Sequence, residues 1–330
     1  MERALVMLTS ALVLSAVVAV GGCSSGAPDA SLMRYAALDG ARSGVAPQFL
    51  SSLRLGEPLR VMHRSVQVDA RDLFVSDFGT GEVEILKDKS WYLVAIISAG
   101  MAGPDGSFVD GNGNFYVADY LSSSISEYAP GSLSPSFSYS AAMNDPVNVN
   151  VDTNGNVYEA DFNGGYVNEY AQGSNSVIDS CSPGGSVEGV AIDTSGDVFV
   201  AYNTSSNARI VEYAGGLSGC SGKVLGVKLQ YAGGVVLDRQ MNLIACDQGR
   251  ATVDVIKPPY ARVSMKLGSG YQDPFHVTIN AQNTRVLVAD QAMADVQVLS
   301  YPRGTNITTL GSSDNLVDPS SAVDGSNAVY

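Results

Sequence analysis

The sequence predicts an all-β protein, a six-bladed β-propeller of four-stranded antiparallel blades. The first observation is a strand that recurs six times: Phe74-Val75-Ser76-Asp77, Tyr116-Val117-Ala118-Asp119, Tyr158-Glu159-Ala160-Asp161, Phe199-Val200-Ala201-Tyr202, Ile244-Ala245-Cys246-Asp247 and Leu287-Val288-Ala289-Asp290. Their last residues stand 42, 42, 41, 45 and 43 positions apart, which is the period of a propeller blade. The second is composition: 35 glycines and 16 tyrosines against one tryptophan suit many tight turns between half-buried strands. The third is the tail, where Asp318-Pro319 to Asp324 repeats Asp273-Pro274 to Asn280, an innermost strand with no blade after it.

The elements follow in order. Met1–Arg3 carries one basic residue, and an apolar run extends from Ala4 to Val20 before Gly21-Gly22-Cys23. A short apolar stretch ending in small residues reads as a secretory signal, not a spanning helix. Val20-Gly21-Gly22-Cys23 resembles the bacterial lipobox, which implies lipidation of Cys23 and removal of residues 1–22. Residues 23–47, rich in Ser, Ala and Gly, read as a tether, and residues 48–330 as one propeller domain. With Ser24 after the cysteine, the resemblance implies an exported lipoprotein on the periplasmic face of the outer membrane or at the cell surface.

Within the repeat, an apolar strand ending in Asp or Asn comes first, as in Val149–Asp152, Val190–Asp193 and Val277–Asn280. A Gly-containing turn leads into the recurrent second strand, as in Asp110–Asn114 and Asp152–Asn156. A third strand follows at a fixed offset, in Ile125–Ala129, Val167–Ala171 and Ile210–Ala214. A looser fourth, such as Ser136–Ser140 or Ile307–Leu310, completes the unit. A blade cannot bury both faces alone, so the units must pack in a ring. The first unit lacks a convincing innermost strand, and Ser321–Asp324 is expected to supply it, so that both termini meet in one blade and the sheet edges are hidden. A seventh blade, from the tail and strands in Gln48–Met62, is the alternative.

Pro146-x-x-x-x-Val151-Asp152 followed by Asn156-Val157-Tyr158-x-Ala160-Asp161 resembles the NHL-type repeat. The pattern is also similar to the wider superfamily of six-bladed propellers that includes SMP-30/gluconolactonase-like enzymes. The likeness spans residues 66–324. It implies the fold, and it leaves function open because propellers host many activities.

Chemistry is sought at positions that differ between blades. The recurrent Asp77, Asp119, Asp161, Asp247 and Asp290 read as turn residues accepting backbone N–H bonds. The Asp-x-Asn-x-Asn turns at 110–114 and 152–156 lack the bidentate Glu of a calcium loop at position 12, where Leu121 and Asn163 stand. Asp105-Gly106, Val147-Asn148, Glu188-Gly189, Gly233-Gly234 and Phe275-His276 lie just ahead of the innermost strands, where the channel mouth is expected. Asp105, Asn148, Glu188 and His276 thus form a candidate ligand site from four blades. Asp105, Asn148 and Glu188 are candidate ligands for one divalent cation, calcium or similar. His276 is the one histidine within the repeats, and no nucleophile-elbow motif accompanies it.

Cys181 and Cys220 are a candidate disulfide, and Cys246 a buried core residue. Tyr128, Tyr170 and Tyr213 recur at one repeat position and read as inter-blade packing. The net charge of −14 disfavours nucleic acid as a partner. The expected partners are a membrane, through the lipid, and a protein or glycan, with the chain itself a monomer. The expected function is a binding or scaffold module. The competing reading is a metal-dependent hydrolase or lyase with its site in the central channel.

Overall fold

The computed structural model describes Val68 and residues 72–325. The signal sequence, Cys23, the tether and the strands weighed for a seventh blade lie outside the described residues.

Twenty-four strands form six four-stranded antiparallel sheets. Blade 1 comprises β1 (Leu73–Asp77), β2 (Glu82–Leu86) and β3 (Leu93–Ile97). Blade 2 is β4 (Pro104–Val109), β5 (Phe115–Asp119), β6 (Ser124–Tyr128) and β7 (Phe137–Tyr139). Blade 3 is β8 (Pro146–Val151), β9 (Val157–Asp161), β10 (Tyr166–Tyr170) and β11 (Val177–Cys181). Blade 4 is β12 (Ser186–Ile192), β13 (Val198–Asn203), β14 (Ala208–Tyr213) and β15 (Gly222–Val224). Blade 5 is β16 (Ala232–Leu237), β17 (Leu243–Asp247), β18 (Thr252–Ile256) and β19 (Met265–Leu267). Blade 6 is β20 (Pro274–Ile279), β21 (Arg285–Asp290), β22 (Asp295–Ser300) and β23 (Thr305–Leu310). The last strand, β24 (Pro319–Asp324), pairs with β1 and completes blade 1 from the C-terminal end. The ring is therefore six-bladed, and the closing strand begins two residues earlier than Ser321.

Burial follows position in the blade. Every residue of β4, β20 and β24 is buried, because an inner strand is covered on both faces. The outermost β3, β11 and β23 are exposed or half-buried along most of their length and buried only at their last residue. The core lies between blades. Phe74, Val83, Ile85, Phe115, Tyr128 and Val323 form one such cluster, and Leu73, Leu287, Val298, Leu316 and Ala322 another. β24 thus contributes to the packing on both sides of blade 1. Tyr128 and Tyr170 also reach back, donating their hydroxyls to the Ala99 and Ala141 carbonyls at 2.9 and 2.7 Å.

The recurrent aspartate is a clamp. Asp119 accepts from the amides of Ala102, Gly103 and Ser122, and Asp290 from those of Gln272, Asp273 and Met293. Each carboxylate pins the entry to its blade's innermost strand against the hairpin that leaves the second strand. In blade 1 the same clamp spans the chain, since Asp77 accepts from Val317 and Asp318 at 2.6 and 3.0 Å. The hairpins after the first strands of blades 2 and 3 use a second carboxylate: Asp110 Oδ1 accepts from the amides of Asn112 and Asn114, and Asp152 Oδ1 from Asn154 and Asn156. These are Asx turns that end a strand. Among the described residues, no helix is long and apolar enough to cross a membrane.

Candidate functional site

Each innermost strand carries a register shift at the same place. It falls between Pro104 and Ser107, Pro146 and Asn148, Val187 and Gly189, Ala232 and Val235, and Pro274 and His276, with the sixth on β24 opposite Ser76 and Asp77. A bulge adds a residue on one strand and re-aims its side chain. The residues expected to precede the inner strands are consequently inside them, at the bulges. The repeat places Asp105, Val147, Glu188, Gly233, Phe275 and Ser320 at one level of the ring.

Small residues permit this convergence. A Cβ on Gly106 would lie 2.5 Å from the Val147 carbonyl oxygen, and one on Gly234 would lie 2.3 Å from His276 Cδ2. Only glycine allows neighbouring inner strands so close.

His276 organises the level. Its Nδ1 lies 3.1 Å from the Ser320 carbonyl oxygen and 3.5 Å from Asp105 Oδ1, and the ring also hydrogen-bonds the backbone of Glu188. Blades 6, 1, 2 and 4 therefore meet at one imidazole. Burial pushes its pKa down to about 4, while the bonds to the Ser320 and Glu188 backbone act the other way. The ring is neutral at neutral pH. The Glu188 carboxylate is occupied too: Oε1 accepts from Asn203 Nδ2 at 2.9 Å and from the Tyr231 hydroxyl at 3.1 Å.

Asn148 stands apart from the cluster. Its Oδ1 accepts from the Val190 amide at 3.3 Å and joins blade 3 to blade 4. The structure thus brings the His276 ring, one residue further along its strand, against Asp105 and the Glu188 backbone, and turns the Asn148 carbonyl to the adjoining seam. Among the described residues no group of three or more His, Cys, Asp and Glu side chains is placed to hold a metal ion.

Four participants were not singled out in the sequence: Tyr120, Asn203, Tyr231 and Ser320. Tyr120 packs edge-on against Phe78. Burial raises its pKa most, followed by Asp145, which shares a hydrogen bond with it, and by the charges of Asp105 and Glu188. Asn203 carried a readable signal, because blade 4 alone has Tyr-Asn where the other second strands end in the clamping Asp. Asn203 bonds Ala232 of the next blade through both amide atoms, at 2.8 and 3.0 Å, as well as Glu188.

The loops on this side of the ring present apolar side chains. Leu121 is 46% exposed, Tyr166 46%, Met293 41% and Val317 59%. At the perimeter, Cys181 and Cys220 form a disulfide with Cα atoms 5.4 Å apart, tying blade 3 to blade 4. Cys246 is buried in the sheet of blade 5, and burial raises its thiol pKa.

Comparison with known proteins returns the fold. No family model and no curated protein matches the chain. A chain in the solved structure entitled "Crystal structure of Nidogen/Laminin Complex" is similar over 74% of this chain and 95% of its own, with a TM-score of 0.62 and 16% sequence identity. The likeness is one of architecture.

Proposed function

We propose that the protein is a lipid-anchored, extracytoplasmic binding module that offers the loops around its channel mouth to a protein or glycan partner. One contrast carries this reading. The polar side chains at the axis are buried and bonded to one another, whereas Leu121, Tyr166, Met293 and Val317 are exposed around them. Catalysis needs acid–base groups within reach of a substrate. Here the neutral His276 is spent on joining blades, and the side chains available to a visitor belong to the loops. The NHL-like pattern at 146–161 supports an interaction module. The Val20-Gly21-Gly22-Cys23 sequence supports export and anchoring at the outer membrane or cell surface, with the propeller acting as a monomer.

Two measurements test the reading. Metabolic labelling with a fatty-acid analogue should mark the wild-type protein and not Cys23→Ala, and equal label in both would remove the anchor. A photo-crosslinking residue placed in cells at Leu121 or Val317 should give a discrete adduct that the same residue at Lys266, on the perimeter, does not. A tightly held divalent cation in the purified protein, lost in Glu188→Ala, would overturn the binding-module reading in favour of the metal-dependent enzyme.

A further inference from the structure

We propose that the loops of blades 5, 6 and 1, on the side opposite the channel mouth, form a cationic surface that rests on anionic phospholipid headgroups and so orients the propeller over the membrane. The proposal rests on the anchor reading above. It begins with charge placement. Residues 90–208 contain thirteen Asp and Glu and no Lys or Arg, so the basic residues of the ring are confined to the remaining blades. On the hairpins and turns of blades 5, 6 and 1, Lys89, Arg239, Lys257, Arg262 and Arg303 are all exposed.

The acids of those same loops are turned inward. Asp72 pairs with Lys87, and Asp88 and Asp324 pair with Arg285. Asp238 accepts from the amides of Gln240 and Asn242 and from the Tyr301 hydroxyl, and is buried. The exposed charge of these loops is positive, although the protein as a whole is acidic and Asp193, Asp197 and Glu212 of blade 4 border the Tyr260 turn. Screening over about 8 Å at physiological ionic strength lets such a local surface act independently of acids across the ring.

The five cations belong to one continuous surface. The turn carrying Lys257 and Arg262 holds Tyr260, whose hydroxyl donates to Met241 in the Arg239 hairpin at 2.8 Å. Arg239 in turn reaches the Ala281 carbonyl of the blade 6 hairpin. Tyr301, two residues before Arg303, bonds Asp238 at 2.5 Å, and Arg285 bonds Asp88 beside Lys89 at 2.7 Å. Between blades 6 and 1 the surface opens into a cavity of about 480 Å³ lined by Arg285 with its partners Asp88 and Asp324 and by Lys89, Thr284 and Ile307 among others. Ile307 is 55% exposed, and Tyr92, three residues beyond Lys89, is 60% exposed. Exposed Tyr and aliphatic side chains beside cations suit the headgroup boundary of a bilayer.

Membrane is favoured over a soluble anionic polymer by the exposed Tyr92 and Ile307 beside the cations. β1 begins at Leu73, next to the Asp72–Lys87 pair and within this same surface. Cys23 lies 49 residues upstream of Asp72.

The test uses an unlipidated chain beginning at Ser24, which retains every strand of the ring, since they all lie within residues 73–324. It should co-sediment with vesicles of phosphatidylcholine and phosphatidylglycerol, be released by added salt, and ignore vesicles of phosphatidylcholine alone. The triple variant Arg239→Glu, Lys257→Glu, Arg303→Glu should lose about 100-fold or more in partitioning. Lys228→Glu, at a residue whose carbonyl accepts from Arg250 on the channel-mouth side, should bind as wild type, and equal melting temperatures would show that all three proteins are folded. Equal binding to neutral vesicles, or full binding by the triple variant, would overturn the proposal. So would binding of soluble polyphosphate through these residues without binding to the vesicles. Because Cys23 is absent from the tested chain, failure here leaves the anchor reading to its own labelling experiment.

Discussion

Two seams on opposite sides of the ring are reinforced by different means. Blade 3 is joined to blade 4 covalently, through Cys181–Cys220, across a sequence separation of 39. Blade 6 is joined to blade 1 without a covalent bond, through β24 and the groups that hold it. Asp77 clamps Val317 and Asp318, Arg285 pairs with Asp324, Thr278 donates to the Ala322 carbonyl, and His276 bonds Ser320. The disulfide spans chain segments that blade succession already brings close. The closing strand unites residues about 240 positions apart, where no local propensity helps. The closure seam should therefore decide whether the ring forms, and the disulfide how firmly one formed seam is held.

Removing the closing strand is expected to have the largest effect. Deletion of 319–330 uncovers the inner edge of β1 and removes Ala322 and Val323 from two inter-blade clusters. Burial of those two side chains alone is worth ~2–4 kcal/mol. It also leaves backbone groups of β1 without their ladder partners. Against a typical net stability of about 5–15 kcal/mol, the truncated domain should melt far lower or aggregate. Wild-type melting by calorimetry would refute the role given to this seam.

Next comes Arg285→Ala. Asp324 is 1% exposed, and loss of its guanidinium partner strands a buried carboxylate, a change that typically costs about 3–5 kcal/mol. Arg285 also lies over the Trp91 ring at 5.9 Å, so part of the loss is packing. Denaturant unfolding of Arg285→Ala alongside Arg285→Ala/Asp324→Asn separates the two, since the double variant should recover part of the loss. On the opposite side, Cys181→Ser with Cys220→Ser should cost about 2–4 kcal/mol in the same assay and leave the native fold intact. A disulfide loss larger than that of the closing strand would invert the comparison.

The same contrast explains what could be read from sequence. The blades and their closure were legible because Tyr116-Val117-Ala118-Asp119 and its relatives repeat at a fixed period, and because Pro319–Asp324 copies Pro274–Ile279. The clamping role of Asp119 and Asp290 was legible for the same reason. The His276 cluster was only half legible. Its members were identifiable as positions that break the repeat, but Ser320 and the Glu188 backbone meet the imidazole across the axis. Such contacts follow from how six blades close, and no sequence spacing encodes them. The inner-strand bulges were missed because one extra residue opposite a neighbour leaves no mark on hydrophobic alternation.

The smallest expected effect is the share of the pH dependence that His276 contributes at the closure seam. His276 has a folded pKa of about 4 against an ordinary value of 6.5, because it is buried where the imidazolium would lose its hydration. The unfolded chain therefore binds the proton more readily than the folded one. Its contribution to stability is complete above pH 6.5, falls as pH drops from 6.5 towards 4, and is fully lost below that. At pH 5 the loss from this group is about 2 kcal/mol. The ring's bonds to the Ser320 and Glu188 backbone favour the charged form, and the Asp105 carboxylate lies 3.5 Å from the same Nδ1 that faces the Ser320 carbonyl. These partners soften the loss without reversing it. His276→Gln retains a hydrogen-bonding side chain and removes the titration, so the stability difference between variant and wild type should shift by about 2 kcal/mol in favour of the variant between pH 7 and pH 5. The Cys181→Ser/Cys220→Ser protein should keep the wild-type slope over the same interval. Parallel slopes for His276→Gln and the wild type would show that acid sensitivity originates outside the closure seam.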